Sequence, residues 1–400
     1  MSGSGLLPLP WWGYLLVALT FTHLTIISVT LYLHRYQAHR AVELHPAVAH
    51  ACRLWLWLST GMQTKEWVAV HRKHHRFVEQ QGDPHSPKVF GIKTVMLEGA
   101  ELYRDGADDS RVVERYGHGT PDDWVERCVY GLWGGTLGIA LMLVTDVLFF
   151  GAIGITIWAV QMVWIPVFAA GIINGAGHCY GYRNFETEDT STNLAPLAAF
   201  IGGEELHNNH HAFPNSAKFS VRRWEFDLGW AYLRLLSLCG LARILTKNQR
   251  PRQVEIASAE VADKWDFDAL SGVLTHRLHV MSDYARDVAR RVYHEELADA
   301  ASEVRRHLLP AKSLIMRAEI RMTDRRRSQL NCALDASQAL ARVYDFRVRL
   351  QAIFEQRNAS PERLLAALQE WCEQAEATGV QALAEFADSL SGYRAATMPT

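Results

Sequence analysis

The chain has 400 residues, 41 Lys and Arg against 43 Asp and Glu, and a formal net charge of −2. That balance argues against a polycationic nucleic-acid binder and against an acidic tail. Six scattered cysteines (Cys52, Cys128, Cys179, Cys239, Cys332, Cys372) form no C-x-x-C pair. This disfavours a zinc ribbon, a rubredoxin-type iron site and a dithiol redox motif, and predicts reduced thiols, buried or facing lipid.

Trp11 to Leu33 is a run of 23 residues without Asp, Glu, Lys or Arg. One membrane span needs about 20. Trp11 and Trp12 stand where an interfacial aromatic belt would. No basic n-region precedes the run, so it predicts a retained membrane helix rather than a signal peptide. His23, inside it, reads as a hydrogen-bonded membrane histidine. Pro46 to Met62 is apolar except for His50 and Arg53. It is short for a span and reads as interfacial or re-entrant. Tyr130 to Ile173 holds 44 residues and a single charge, Asp146, with Gly151 and Gly154 near the middle. That length predicts two spans, near 131–150 and 153–174, joined by a tight turn, with Asp146 near the turn-side interface.

Beyond residue 250 the composition turns to Ala, Leu, Glu and Arg. Val261 to Leu308, Ile315 to Gln356 and Pro361 to Leu390 read as long amphipathic helices. Pro310 and the Asn358–Pro361 stretch punctuate them. The expected fold is therefore all-α: an integral-membrane helical domain over 1–250 and a soluble helical region over 251–400 without legible chemistry. His276 and His279, three residues apart there, read as a solvated helix face. His45, His50 and His118 carry no motif.

Three histidine boxes stand out: His34-Arg-Tyr-Gln-Ala-His39, His71-Arg-Lys-His74-His75 and His207-Asn-Asn-His210-His211. Random placement of 18 histidines would rarely give two H-x-x-H-H strings. On a helix, residues i, i+3 and i+4 share a face, so each such box can aim at one centre. Adjacent histidines still diverge by about 100°. His74 and His75 should therefore serve two ions, and so should His210 and His211. His34 and His39 lie about 140° apart on a regular helix. Either the helix unwinds there or they also serve different ions. A structural zinc site closes with four ligands. Eight histidines thus imply two metals, and imidazole suits iron, copper and zinc alike. No H-E-x-x-H string marks a zinc peptidase.

For all boxes to meet on one side of a membrane, the 46–62 segment must not cross while the hairpin returns. Arg35, Arg40, Lys65, Arg72, Lys73, Arg76, Arg183, Arg222 and Arg223 then share that side, which the positive-inside rule makes cytoplasmic.

These boxes resemble the membrane fatty-acid desaturase family, in particular its Δ9 acyl-CoA branch of bacterial type. The likeness runs over roughly 10–245. It includes Glu66-Trp67-Val68-Ala69-Val70 before the second box and Asp83-Pro84-His85-Ser86-Pro87 after it. It also includes Asn174-Gly-Ala-Gly-His178 with Gly181-Tyr182-Arg183, and Gly203-Glu204-Glu205-Leu206 with His211-Ala-Phe-Pro214 around the third. The resemblance implies a ninth metal ligand, His178, and a water-mediated contact from Asn174, and it leaves His85 out of the ligand set. The family usually has Gly-Trp or Gly-Phe where Glu205 and Leu206 stand, which changes local packing.

The resemblance implies a cytoplasm-facing histidine-rich cap, two Fe²⁺ ions, and an O₂-dependent enzyme of the bacterial inner membrane. The enzyme would place a cis double bond, at Δ9, in a saturated acyl-CoA or acyl-lipid. No residue beyond the di-iron centre is expected to be catalytic, because no side-chain base can deprotonate an alkane. Four electrons reduce O₂ and the substrate supplies two, so a separate reductase- or ferredoxin-type protein should supply the others. Trp57, Trp67, Trp133 and Trp164 are candidates to line an acyl tunnel. Arg40, Arg72 and Arg183 would pair with carboxylates such as Glu66 or Asp189, or attract an anionic headgroup or donor. A related hydroxylase or ketolase would share the metals but insert oxygen. No nucleic-acid partner is expected.

Overall fold

The apolar run that opens the chain forms one unbroken helix. In the computed structural model, which describes residues 5–247, 252–253, 265–317, 322–356 and 359–394, α1 (Trp11–Ser28) continues directly as a π-helix, Val29–Ala38. The 28 residues together are long and apolar enough to cross a membrane. They span about 42 Å against a hydrocarbon core of about 30 Å. A helix whose apolar part begins at Trp11 therefore carries His34 beyond that core. Trp11, Trp12, Leu15, Leu16 and Leu19 point outward, exposed. His23 hydrogen-bonds the Tyr232 hydroxyl at 2.9 Å.

The next helix, α2 (Pro46–Thr60), is 15 residues long, about 22 Å. The His45 ring caps its start, accepting from the Ala47 N–H at 3.3 Å. Gly61, at φ 67°, ends it in the left-handed conformation that glycine tolerates best. Arg53 is buried in its middle and paired with Asp123 at 2.8 Å. The helix α3 (Thr64–Phe77) follows at once and carries the second histidine box.

The apolar block after residue 130 is a helical hairpin, but its first arm is shorter than the sequence predicts. A 3-10 turn, Leu132–Gly135, precedes Thr136–Phe150, because Gly135 at φ 81° breaks the helix. The second arm, Ala152–Ile165, runs on through a π-helical stretch, Pro166–Ile173, to His178. This 27-residue helix also meets the length and hydropathy of a span. Asp146 does not reach an interface. It is fully buried and accepts from the Gln161 amide across the hairpin at 2.8 Å. Val144, Leu148, Ile153, Ile155 and Val163 face outward, so the hairpin shows an apolar surface that a water-soluble protein would cover.

The fold is not purely helical. Val42–Leu44 pairs antiparallel with Ala242–Ile244, and Leu197–Ala198 pairs parallel with Phe226–Asp227. The latter pair brings Asp227 to Arg35. That guanidinium is completely buried, bonds Asp227 at 2.9 Å and lies 3.9 Å above the Phe219 ring.

The chain divides into two compact units, residues 1–183 with 189–248, and residues 184–188 with 249–400. The second is a helical bundle around Trp371, whose indole N–H donates to the Phe346 carbonyl at 2.9 Å. Its helices are shorter than the periodicity predicts. The first expected helix begins at 261–264, outside the described residues. Within them it divides into Phe267–Thr275, Arg277–Asp283, a π-turn Tyr284–Ala289, Arg290–Asp299 and Ser302–Leu308. The second breaks between Asp324–Ala336 and Gln338–Glu355, where the Ser337 side chain caps the later helix. The third breaks at Gly379, φ 75°, between Pro361–Ala377 and Gln381–Leu390. His279 is no solvated face. It is buried edge-on to Phe185, their ring centroids 5.4 Å apart. The cysteines are all free thiols, but Cys128, Cys179, Cys239 and Cys332 are exposed rather than buried.

Candidate metal centre

The two H-x-x-H-H boxes sit on helices, α3 and the short His207–Ala212, as their spacing predicts. The first box needs something else. The His39 N–H donates to the His34 carbonyl at 3.0 Å, the i to i+5 bond of a π-turn. That bond wraps five residues into one turn and brings both rings to one side. Of the two alternatives open from the sequence, the unwound helix is the one found. His178 closes the turn Ala176–His178, just past the second long apolar helix.

Nine histidines converge in two groups. His34, His39, His71, His75 and His210 bring one ring nitrogen each to within 4.8 Å of one another, and His74, His178, His207 and His211 do the same. In the first group the Nε2 atoms of His34 and His210 are 3.0 Å apart, those of His39 and His71 2.8 Å, and those of His75 and His210 3.0 Å. In the second, Nε2 of His207 and His178 are 3.0 Å apart. The chain neighbours His74 and His75, and His210 and His211, fall into different groups.

Four carboxylates hold the outer nitrogens. His34 Nδ1 lies 2.8 Å from Glu204, His74 Nδ1 2.9 Å from Asp83, His178 Nδ1 3.3 Å from Glu79 and His211 Nδ1 3.0 Å from Asp189. Each Nδ1–H···carboxylate bond fixes the tautomer that leaves Nε2 as a free lone pair, the arrangement found behind metal-ligating histidines. Each carboxylate is itself tied down. Glu204 accepts from Thr30 Oγ1 at 2.6 Å, Asp83 from the Glu79 N–H at 2.8 Å, Asp189 from Ser191 N–H at 2.9 Å, and Glu79 from the Thr190 N–H at 2.5 Å.

Electrostatics agree. Burial, then neighbouring histidines, holds His39, His71, His74, His75, His207 and His210 well below the ordinary imidazole range. They are neutral ligands-in-waiting at physiological pH. Burial alone would raise Glu204 and Asp189, but His34 and His211, respectively, hold them ionised. The Nε2 atoms of His74 and His211 are buried without a hydrogen-bond partner. Buried orphan lone pairs aimed into one space are what a cation would satisfy. The residues fit a pair of metal ions.

His85, set aside as a ligand by the sequence, stacks on His74 at 4.4 Å between centroids. Together with Asp83 these two form a third close group. Asn174 ends the π-helical stretch one turn before His178. Trp67 stacks on His71, planes 13° apart at 4.9 Å. Trp57 is buried against Tyr130, Trp164 lies on Phe168, and Trp133 is 73% exposed and lines nothing.

Arg40 and Arg72 bond carbonyls where carboxylates were expected. Arg72 donates to the carbonyls of Gln37, Ala38, Tyr116 and His118, Arg40 reaches the His118 carbonyl, and Arg183 bonds the Ser191 carbonyl. Glu205, unexpected at its position, accepts from the backbone N–H of Phe200, Ile201 and Gly203 and so pins the loop before the third box. Glu79 had no signal in the sequence beyond its distance from a box. Asp83 and Glu204 stood in recognisable segments but without an evident role. Asp189, expected as a partner for an arginine, bonds the His211 ring.

Comparison with known proteins matches this unit. The family model described as Fatty acid desaturase matches residues 9–237, and the chain belongs to that family. Among curated relatives, the sn-1 stearoyl-lipid 9-desaturase of Anabaena variabilis is 31% identical, over 54% of this chain and 77% of its own. The Delta-9 acyl-lipid desaturase 2 of Arabidopsis thaliana is 29% identical, over 60% of this chain and 78% of its own. The Acyl-CoA 5-desaturase AL21 of Anemone leveillei is 30% identical, over 54% of this chain and 66% of its own. A second family model, described as Transposase, matches residues 273–398, within the second unit.

Proposed function

We propose that this fatty acyl desaturase places a cis double bond at Δ9 of a saturated acyl chain, using two iron ions held by the nine histidines. His34, His39, His71, His75 and His210 would hold one, and His74, His178, His207 and His211 the other, with Asn174 reaching the second through water. The observation that carries this reading is the polarity of the rings: Nε2 atoms face inward while four Nδ1 atoms bond carboxylates. Iron held there would supply, with O₂ as the oxidant, the power to take hydrogen from an unactivated methylene and from its neighbour.

The protein's own residues do the positioning. Trp67, stacked on His71, is an apolar wall beside the first group and would press the acyl chain against it. The dehydrogenation yields two electrons and two protons. A separate ferredoxin- or reductase-type donor would supply two more electrons and solvent two more protons, so that O₂ leaves as two waters. A cavity of about 440 Å³ lined by His39, Arg40, Arg72 and His118 offers that donor a cationic approach beside a ligand ring. The two long apolar helices and their outward-facing side chains support a membrane location, and the cationic residues around the boxes a cytoplasmic-side site in a bacterial inner membrane. Relatives named for acyl-lipid and for acyl-CoA both match, which supports CoA or a membrane lipid as the carrier.

The test is expression in a bacterial host lacking unsaturated fatty acids, with methyl esters analysed by mass spectrometry after derivatising the alkene. Growth without oleate and a cis-9 product are expected. Hydroxy- or keto-acids would instead establish a hydroxylase or ketolase on the same metals.

A further inference from the structure

The second unit carries a charge pattern that the desaturase chemistry does not use. Ser302–Leu308 packs against Asp324–Ala336, and the short helix Ala311–Leu314 packs on both. These three helices present Arg305, Arg306, Lys312, Arg325, Arg326 and Arg327, all exposed. Glu303 and Asp324 are the only exposed acids between 302 and 327 among the described residues. Three other arginines of this unit are neutralised by neighbours: Arg286 by Asp283 and Asp287, Arg291 by Glu295 and Glu385, Arg349 by Asp345. The cations on these three helices form no ion pair among the described residues. Leu309, 56% exposed, sits among them.

We infer that this cationic helical edge is a docking surface for an anionic lipid bilayer. Unpaired cations are held in register by a packed core through Leu308, Ala311, Leu314 and Leu330, all buried. Such an array gains about fivefold in affinity per Lys or Arg at an anionic surface, and the gain is screened within a Debye length. An exposed leucine amid the charges gives the array an apolar point that enters the headgroup boundary. The target is also local. The chain enters this unit from the one that carries the apolar helices, both at 184–188 and after 248, so a membrane is presented at high effective concentration. This inference rests on the membrane reading proposed above. Insertion of the chain into lipid discs checks that reading separately.

The experiment uses the full-length, metal-loaded chain in lipid discs. One set is pure phosphatidylcholine and the other contains about 30% phosphatidylglycerol, at about 0.15 M salt. Hydrogen exchange is read on peptides covering 302–330. Exchange should slow severalfold in the anionic discs. That slowing should vanish when Arg305, Arg306, Arg325, Arg326 and Arg327 are all changed to Gln, while peptides around Trp371 stay equally protected in both proteins. Equal exchange in the two lipids, or unchanged slowing in the variant, overturns the proposal. Slowing by a short DNA duplex and not by anionic lipid also overturns it, in favour of nucleic acid.

Discussion

His74 and His75 are consecutive in the chain, yet their rings stand 5.6 Å apart at 72° and belong to different histidine groups. A single helical step divides the two sites. Each site is therefore sensitive to a different one of two adjacent residues. His74→Ala and His75→Ala should each lower bound iron from two ions toward one and abolish desaturation. The two variants should differ in which ion remains, read by Mössbauer spectroscopy of the iron-57 protein. Loss of both ions in each variant would mean that the groups fill cooperatively, while two ions in either would remove that histidine from the ligand set.

The carboxylates behind the rings should matter nearly as much as the rings. Glu204 holds His34 and is held by Thr30. Glu204→Gln should weaken iron binding by roughly 10- to 100-fold. Competition with a calibrated chelator measures this without any turnover assay. An affinity equal to that of the parent would make Glu204 a loop residue only.

A different acid should set a pH dependence of stability. Glu66 is pushed up to about 7, first by burial and then by the nearby charges of Asp108 and Glu126. The sign follows from linkage. Between its unfolded value, about 4.3, and about 7, the folded protein binds the extra proton, so this group's contribution is greatest in acid and is lost as pH rises through 7. Glu66→Gln should remove that decline, seen as a flatter plot of thermal midpoint against pH from about 5 to 8. An unchanged slope would assign the decline elsewhere.

Arg35 and Asp227 are both sealed from solvent. Asp227 also accepts from the Phe219 and Trp230 N–H groups at 2.7 and 2.9 Å. Asp227→Ala leaves a buried guanidinium without its counter-ion, at a cost of about 3–5 kcal/mol. The thermal midpoint of the detergent-solubilised protein should fall by several degrees. A shift no larger than that of an exposed control such as Glu43→Ala would show that water replaces the carboxylate.

Much of the site was legible because metal ligation imposes spacing. The H-x-x-H-H strings encode a helix face, and the angle between neighbours encodes two groups. The carboxylates were not legible in the same way. Glu79 reaches His178 across 99 residues of sequence, and no local pattern marks a lone acid that tertiary packing will deliver. The apolar runs announced their helices, but periodicity cannot see a break that one residue makes. Gly135 shortened the first hairpin arm, and Ser337 and Gly379 divided helices that read as continuous. Arg40 and Arg72 misled because charge predicts a partner's sign but not whether a carbonyl will take its place. Arg72 is satisfied by four carbonyl oxygens.

The π-turn between His34 and His39 makes this stretch unusually intolerant of length change. In most helices one residue more or less is absorbed by sliding the register, at the cost of some packing. Here the turn is already widened to five residues, so a one-residue insertion between the two histidines has no further bulge to absorb it. It would swing everything upstream by about 100° relative to His39. The membrane-crossing part of α1 and the histidine it carries could not then both keep their places. Point substitutions across Val29–Ala38 should be graded in effect, whereas a one-residue insertion between His34 and His39 should be all-or-none.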